Sequence, residues 1–334
     1  QKGRVYKRGE HGGDAFAGER VTTFADLLHQ IHEQVPALRR LRFVTSYPRS
    51  FGDDVLSVIR QSPRICRYLH VPAQTGSDRM LLAMNRGYTI AEYLEFVDRA
   101  RAALHQHEIG RPLTLAGDII VGFPGESDAD VDATAALLER VRYKNCFIFK
   151  YSARPGTTAY ERLPDDVPED VKRARNARLL ALQSRISGEV GREFVGMTMD
   201  VMVQGVSKRQ AKRDARRPEH AHAARLAGGV SLTIGGRTSG THGAAAADAH
   251  DHHRGCAGSA CSTASQVLGA ADDAPVQGVA SDRGDPVQLS ARTDGDLIVF
   301  FDCPPDRAPD DFAGTIKRVR IESSKDLGLF GTLV

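Results

Sequence analysis

Apolar residues alternate between helical and strand-like spacing along roughly residues 22 to 150. Short apolar runs in LRFVTSYP, RYLHVPAQ, TLAGDIIVGFPGE and NCFIFKYS predict four buried strands, the first spanning Leu41 to Ser46. TTFADLLHQIHEQV carries apolar residues at helical spacing, with Thr22 or Thr23 as its N-cap. The pattern therefore predicts strands and helices in alternation.

The other helices predicted in this region also begin at recognisable caps. SDRMLLAMNRG begins at Ser77, and DADVDATAALLERV follows a capping box made of Ser127 and Asp130. DDVLSVIRQS and IAEYLEFVDRARAALHQ complete the set. Strands that alternate with helices predict parallel β-α-β units, and four strands are too few to close an eight-stranded barrel. We therefore expect part of such a barrel.

Polar clusters follow each predicted strand, at Thr45–Ser46 and within residues 74–78, 122–126 and 152–157. In barrels of parallel strands the chemistry gathers at the carboxyl ends of the strands. These four clusters therefore predict an active site at that end.

The second half of the chain predicts a long helix and a small β-barrel. Residues 168–195 are helical in pattern, with Pro168 in the first turn. MTMDVMVQG, VQLSAR, LIVFFD, GTIKRVRI and LFGTLV then predict five short strands, which suit a small barrel. We expect domains at 1–195 and at 196–208 plus 286–334. The Ala-, Gly-, Ser-, His- and Asp-rich segment 209–285 predicts a disordered insertion.

Composition and charge bear on the partners and the cellular location of the protein. The net charge of +3 and the pI near 8.6 permit a nucleic-acid partner without requiring one. The sequence has no apolar run of about 18 residues, so we expect no membrane span. The polar N-terminus lacks the apolar core of a signal peptide, and it begins at Gln1, from which we expect a missing front. The five cysteines are Cys66, Cys146, Cys256, Cys261 and Cys303; they are odd in number and dispersed, which favours a cytoplasmic protein without disulfides.

Four segments resemble, in order, those of the radical S-adenosylmethionine methylthiotransferase family. They are RFVTSYPRSF, LHVPAQTGSDRMLLAMNRGYT, DIIVGFPGES and FKYSARPGTTAY. VMVQGVSKR and the stretch from Val287 to Val334 resemble the family's C-terminal RNA-binding β-barrel, the TRAM domain. The resemblance implies an α/β fold, in which the later strands of a partial (β/α) radical SAM barrel precede a small all-β TRAM barrel.

The resemblance also implies cofactors and a function. Family members use S-adenosylmethionine and 4Fe–4S clusters, one held by a C-x3-C-x2-C loop that this sequence lacks. The implied reaction is methylthiolation of an adenosine next to the tRNA anticodon, in the cytoplasm, by a monomer that receives electrons from a donor. The chain is expected to begin after the second barrel strand and to be inactive alone, with no metal ligands of its own and with catalytic residues unassigned.

The candidate residues for S-adenosylmethionine binding are Gln74, Ser77, Asp118, Ile120, Gly122 and Arg154. Gln74 and Ser77 are expected to contact the ribose or methionine part, although they could instead order a turn and cap a helix. Ile120 and Gly122 match the family's adenine-lining motif, in a turn that steric reasons alone could also explain. Arg154 is a candidate for anionic oxygens, or else an ordinary surface arginine.

The candidate RNA-binding residues are Arg173, Arg178, Lys317, Arg318 and Arg320. Strand alternation places Arg318 and Arg320 on one face and Lys317 on the other. Phosphate contacts would give affinity without sequence readout, while a merely solvated basic face is the alternative.

Three other possibilities stay open. The chain could come from the sister enzyme that methylthiolates an aspartate of a ribosomal protein, or it could be a non-catalytic RNA-binding remnant. The tract HAHDHHRGCAGSAC could bind zinc, but the spacing of its His and Cys residues fits no standard structural site, so disorder is the expected state there.

Overall fold

The computed structural model describes residues 23–44, 48, 51–215, 286–325 and 328–334. The chain divides into one unit made of Gln1–Ser207 with Pro286–Val334 and a second unit, Lys208–Asp285. The described part of the second unit is helix α8 (Lys208–Ala215), which differs from the disorder predicted from residue 209 onward. The rest of the predicted insertion, including its His and Cys tract, lies outside the described residues.

The first part of the larger unit is an α/β layer. Its elements are α1 (Phe24–Gln34), α2 (Asp53–Gln61), β1 (Tyr68–His70), α3 (Asp78–Ala83), α4 (Ile90–Leu104), β2 (Thr114–Val121), α5 (Asp128–Val141), β3 (Asn145–Lys150), α6 (Thr158–Arg162) and α7 (Glu169–Arg192). The three strands form a parallel sheet in the order β1-β2-β3. The predicted α/β alternation is confirmed, and no described helix is long and apolar enough to cross a membrane.

The first predicted strand is wrong. Leu41 makes a single parallel bridge to Ile65, residues 42–44 have no strand structure, and residues 45–47 lie outside the described part. The side chains explain why the strand does not continue. The ring of Phe43 packs edge-on against Phe24 at 5.3 Å, while Arg42 extends to an aspartate of the barrel. Arg42 and Phe43 thus make tertiary contacts with the barrel and with α1 in place of strand pairing.

The predicted helix caps are confirmed. Thr23 and Asp26 form a capping box at α1, and Ser127 and Asp130 form another at α5. Ser77 accepts a hydrogen bond from the backbone N–H of Met80 at the start of α3. Such caps satisfy backbone N–H groups that have no partner inside the helix.

Five strands close into a barrel, as the sequence predicted. They are β4 (Thr198–Val206), β5 (Gln288–Thr293), β6 (Ile298–Asp302), β7 (Ile316–Lys325) and β8 (Gly328–Leu333), in the order β4-β5-β6-β8-β7. Alternate residues along each strand point inward, and the buried ones include Val201, Leu289, Val299 and Val319. This interior leaves Arg318 and Arg320 of β7 on the outer side.

The turn between β5 and β6 docks the barrel onto the amino ends of the parallel strands. Asp296 has a left-handed backbone (φ 61°) and accepts hydrogen bonds from Arg42 at 2.5 Å, Lys144 at 2.8 Å and Arg292 at 2.7 Å. Burial would raise the pKa of Asp296, but these cations hold it below its ordinary value. Burial lowers the pKa of Lys144 to about 8, despite its aspartate partner.

We predict that Asp296→Asn destabilises the protein by about 2 kcal/mol, because three partly buried cations lose the carboxylate that compensates them. Asn tolerates the left-handed backbone, so the change removes charge without adding strain. Urea denaturation at neutral pH measures the effect. Asp310→Asn, on an exposed turn of the same barrel, is the matched control and should change stability by less than about 0.5 kcal/mol. Equal stability of Asp296→Asn and the parent protein would contradict this account of the junction.

Candidate functional site

Two loops meet at the carboxyl end of the sheet, residues 74–77 after β1 and residues 122–127 after β2. Gln74 is fixed by its backbone, since its N–H donates to the Asp118 carbonyl and its own carbonyl accepts from Ile120, both at 2.8 Å. It adopts φ 73°, an uncommon conformation for a residue other than glycine. The loop after β1 is thereby held against the neighbouring strand.

Asp130 joins the two loops. Its carboxylate accepts a hydrogen bond from the Ser77 hydroxyl at 2.6 Å, and from the hydroxyl and N–H of Ser127 at 2.5 Å and 2.8 Å. Arg79 also donates to it. Burial alone would raise the pKa of Asp130, but hydrogen bonds from Arg79, Ser127 and Ser77 hold it well below the ordinary range. The Ser77 hydroxyl therefore caps α3 and holds the loop through Asp130, which agrees with the alternative that Ser77 caps a helix.

Helix α5 packs closely against the loop after β1. The Thr134 hydroxyl accepts from the Gly76 N–H at 2.9 Å and lies 3.2 Å from the Thr75 hydroxyl. A Cβ on Gly76 would collide with the backbone of Ala133 and Thr134. Only glycine lets the loop approach the helix this closely.

Helix α7 holds the second loop. The buried carboxylate of Glu126 accepts from the Gly122 N–H at 2.7 Å and from Arg175 at 3.0 Å, and burial raises the pKa of Glu126. Lys172 is buried against Gly122, and its ammonium group donates to Asp165 at 2.5 Å. Sequence reasoning missed these partners, because no local pattern indicates that α7 returns to this loop.

Two of the predicted cofactor residues lie on the half-buried face of β2. Asp118 and Ile120 are half-buried and alternate with the buried Ile119 and Val121. Asp118 is the fifth residue of β2, which starts at Thr114. Its carboxylate lies 3.1 Å from Nε2 of His70 on β1. Asp118 and Ile120 thus share a face with a histidine.

Arg154 lies apart from this hydrogen-bond network, on an exposed turn after β3. Its carbonyl accepts from the Thr157 hydroxyl at 2.7 Å, and Gly156 supplies the positive φ that the turn requires. The backbone of Arg154 is thus fixed while its side chain is in solvent.

The predicted RNA-binding arginines of α7 have acidic neighbours. Arg173 lies 4.0 Å from Glu169, and Arg178 lies 2.7 Å from Asp132. These exposed pairs are weak, yet they reduce the positive charge of that face.

On the barrel, Arg318 and Arg320 are exposed on the outer side of β7, with Arg318 3.7 Å from Asp200. Lys317 faces elsewhere, with its ammonium 5.1 Å from the Phe312 ring centre. The predicted alternation of these three residues agrees with the strand geometry.

The described cysteines do not suit an iron–sulfur cluster. Cys66, Cys146 and Cys303 are buried, and burial raises the pKa of each thiol, which opposes the thiolate form that binds iron. Cys146 pairs in register with Gly117 in the first half of β2, and Cys303 follows β6 of the barrel. No group of three potential metal ligands occurs in the part of the chain that the structure describes.

Comparison with known proteins gives three kinds of match. The Radical SAM superfamily matches residues 11–138. Curated relatives named tRNA-2-methylthio-N(6)-dimethylallyladenosine synthase are 46% identical over 197 residues in Rhodopirellula baltica and 45% over 204 residues in Anaeromyxobacter dehalogenans, in each case 59% of this chain. The chain spans 40% and 42% of those proteins. Among solved structures, coproporphyrinogen III oxidase of Escherichia coli matches with a TM-score of 0.38 at 19% identity, over 50% of this chain and 39% of the other.

The chain is similar to these tRNA methylthiotransferases over 59% of its length and matches the Radical SAM superfamily over residues 11–138. The family resemblance predicted from the strand-end segments is thereby confirmed. Radical SAM enzymes use S-adenosylmethionine and a 4Fe–4S cluster. The face that carries Asp118 and Ile120 offers one polar and one apolar position that fit S-adenosylmethionine. Nearby, Gly125 leaves open the space that a Cβ would fill, whereas Lys172 fills that space at Gly122. The described cysteines of this chain do not fit the cluster.

We predict that Asp130→Asn lowers stability at neutral pH by about 2 kcal/mol, because charge-assisted hydrogen bonds to the two loops are weakened. The folded-state pKa of Asp130 is lowered, so its stabilising contribution is complete above the ordinary carboxyl pKa of about 4 and is lost as the pH falls. Thermal melts of the parent and variant should therefore converge in acid. Asp132→Asn, on the exposed side of α5, is the control. A stability difference that stays constant with pH would refute the assignment.

We also predict that anaerobic reconstitution of this chain with iron and sulfide yields no cluster that cleaves S-adenosylmethionine. A site-differentiated 4Fe–4S cluster needs three thiolates that converge with one iron open, and the described thiols are buried in separate places. Absorption and electron spin resonance spectra, with 5′-deoxyadenosine as the product assayed, make the measurement. A stoichiometric cluster that forms 5′-deoxyadenosine would contradict the prediction.

Proposed function

We propose that this chain is part of an enzyme that methylthiolates an adenosine next to the tRNA anticodon. The single observation that carries the proposal is the sequence identity of 40–46% to curated relatives named as synthases of the methylthiolated, dimethylallylated adenosine in tRNA. The architecture supports it, because a ligand-accessible sheet face and a barrel with exposed basic residues occur in one compact unit.

S-adenosylmethionine, when bound, supplies the radical chemistry by which the 2-methylthio group is added. In this proposal Gln74, Asp118, Ile120 and Gly122 line its site, and Arg154 receives an anionic group from the cofactor or the substrate. Ser77 acts one step away, by holding the loop through Asp130. Glu126 and Arg175 position the Gly122 backbone.

The barrel is proposed to be a TRAM domain that binds the tRNA anticodon stem-loop. Arg318 and Arg320 give phosphate contacts from the outer side of β7, and Lys317 adds charge at its edge. Arg173 and Arg178 contribute less, because each already has an acidic neighbour. We further propose that the protein is a cytoplasmic monomer and that an external donor supplies its electrons.

Two other functions have specific support. An RNA-binding protein without catalysis is favoured by the described cysteines, which do not suit a cluster. A ribosomal-protein aspartate methylthiotransferase shares the resemblance of the strand-end segments, and it would use the barrel to engage a protein.

We predict that the triple substitution Lys317→Ala, Arg318→Ala and Arg320→Ala weakens tRNA binding. It should also flatten the salt dependence by roughly 0.7–0.9 in slope for each phosphate that is no longer neutralised, because fewer counterions are released. Filter binding across a series of salt concentrations measures both quantities. Arg140→Ala, which removes an exposed arginine paired with Asp98 on the α/β layer, is the control. An unchanged slope would remove β7 from the RNA interface.

A further inference from the structure

Two aromatic rings lie on the face of the sheet that is opposite helix α7. Phe147 and Phe149 are 40% and 47% exposed, and they alternate along β3 with the buried Cys146 and Ile148. Helix α7 packs against β3 and donates from the Asn176 side chain to the Ile148 carbonyl. An exposed pair of large apolar rings within a strand indicates a surface that binds something.

The two rings are neighbours on this face, and their planes are nearly parallel. Their centres are 6.3 Å apart and their planes differ by 16°, so both present the same orientation. Flat, parallel aromatic surfaces suit planar heteroaromatic rings and unsaturated hydrocarbon groups. The shape therefore favours a flat apolar ligand over a compact polar one.

The strand register determines which groups lie beside the rings. Phe147 pairs with Asp118 and Phe149 pairs with Ile120 across β2 and β3, so the side chains of all four share one face. His70 lies next to Asp118 and fixes its carboxylate. The face is thus an apolar strip bordered by one oriented carboxylate, which can accept a hydrogen bond from an N–H or O–H group.

We infer that Phe147 and Phe149 are specificity-determining residues that contact the N6-dimethylallyl group of the adenosine substrate. This inference rests on the proposed function and deepens it, because it assigns residues to the choice between prenylated and unmodified adenosine. The dimethylallyl group leaves water when it packs on the two rings, whereas an unmodified N6 amine gains nothing there. Asp118 and Ile120, which the proposed function assigns to S-adenosylmethionine, border the two rings, so the dimethylallyl group would lie next to the cofactor.

Charge separates this ligand from the other candidate substrate. A prenylated nucleoside is neutral and matches an apolar strip with a single carboxylate at its border. An aspartate side chain of a protein would bring a second negative charge next to Asp118, which is unfavourable where water is partly excluded. The prenylated base is therefore the occupant to which the inference commits.

Saturation-transfer NMR on the whole chain tests the inference, with N6-dimethylallyladenosine and adenosine as the probes. The chain has no tryptophan, so irradiation of aromatic protons reports on Phe, Tyr and His rings. We expect saturation to reach the two methyl groups of the dimethylallyl chain most strongly. In competition titrations the parent should prefer the prenylated nucleoside by about tenfold, a typical discrimination for a small apolar group.

Three variants make the experiment specific. Phe147→Ala and Phe149→Ala should each remove most of that preference while adenosine binds as before, and Phe147→Leu should keep part of it. Leu82→Ala, at a side chain 79% exposed on α3, is the matched control for removal of an exposed apolar residue. Circular dichroism confirms that every variant is folded, and an unfolded Ala variant is replaced by the Leu variant at the same position.

The outcomes distinguish this inference from the proposed function. A parent that binds both nucleosides equally, or Ala variants that keep the preference, would overturn the role of the two rings even if tRNA binding by the barrel is intact. Absence of binding to tRNA and to both nucleosides in the parent would overturn the proposed function together with the inference. A preference that the Ala substitutions abolish and the control retains supports the assignment.

Discussion

The carboxylate of Asp296 is the interaction on which the arrangement of the larger unit depends. It pairs with cations from the segment between α1 and α2, from the residue before β3 and from β5, and thereby fixes the barrel at the amino ends of the parallel strands. Arg40 adds hydrogen bonds to the backbone of Arg292 and Asp200. Because the barrel occupies that end, a ligand can reach the carboxyl end of the sheet and the face that carries Asp118 and Phe147 among the described residues.

The carboxyl end is organised by a second, different kind of constraint. There, glycines allow close approach and helix N-termini bring their caps together, so that Asp130 serves as a capping residue for α5 and as the acceptor for Ser77 of α3. A capping box normally stabilises one helix. Here the same carboxylate also fixes the distance between two loops. A capping pattern that is local in the sequence thus stabilises a contact between segments far apart in the chain.

Sequence reasoning predicted those features that depend on local periodicity and capping. Six of the helices, three of the four early strands and the five barrel strands follow from spacing, and Ser127 with Asp130 was recognisable from four residues. The short helices α6 and α8 were not predicted. The first strand failed because Phe43 and Arg42 have partners far along the chain. The same limit applies to the site. Glu126 belongs to a predicted strand-end cluster, but its contact with Arg175 and the packing of Lys172 on Gly122 were not predicted, since no spacing rule indicates which helix packs on a given turn.

The identity of the ligands depends on the difference between the two faces of β3. On one face, Cys146 and Ile148 are buried. On the other face, Phe147 and Phe149 are exposed to solvent beside a polar pair, His70 and Asp118. A surface of that kind gains free energy only when an apolar, planar group covers it and a donor reaches the carboxylate. Adenosine with a hydrocarbon chain at N6 has both properties in one molecule. The product for which the relatives are named and the exposed rings of this chain therefore point to the same chemistry.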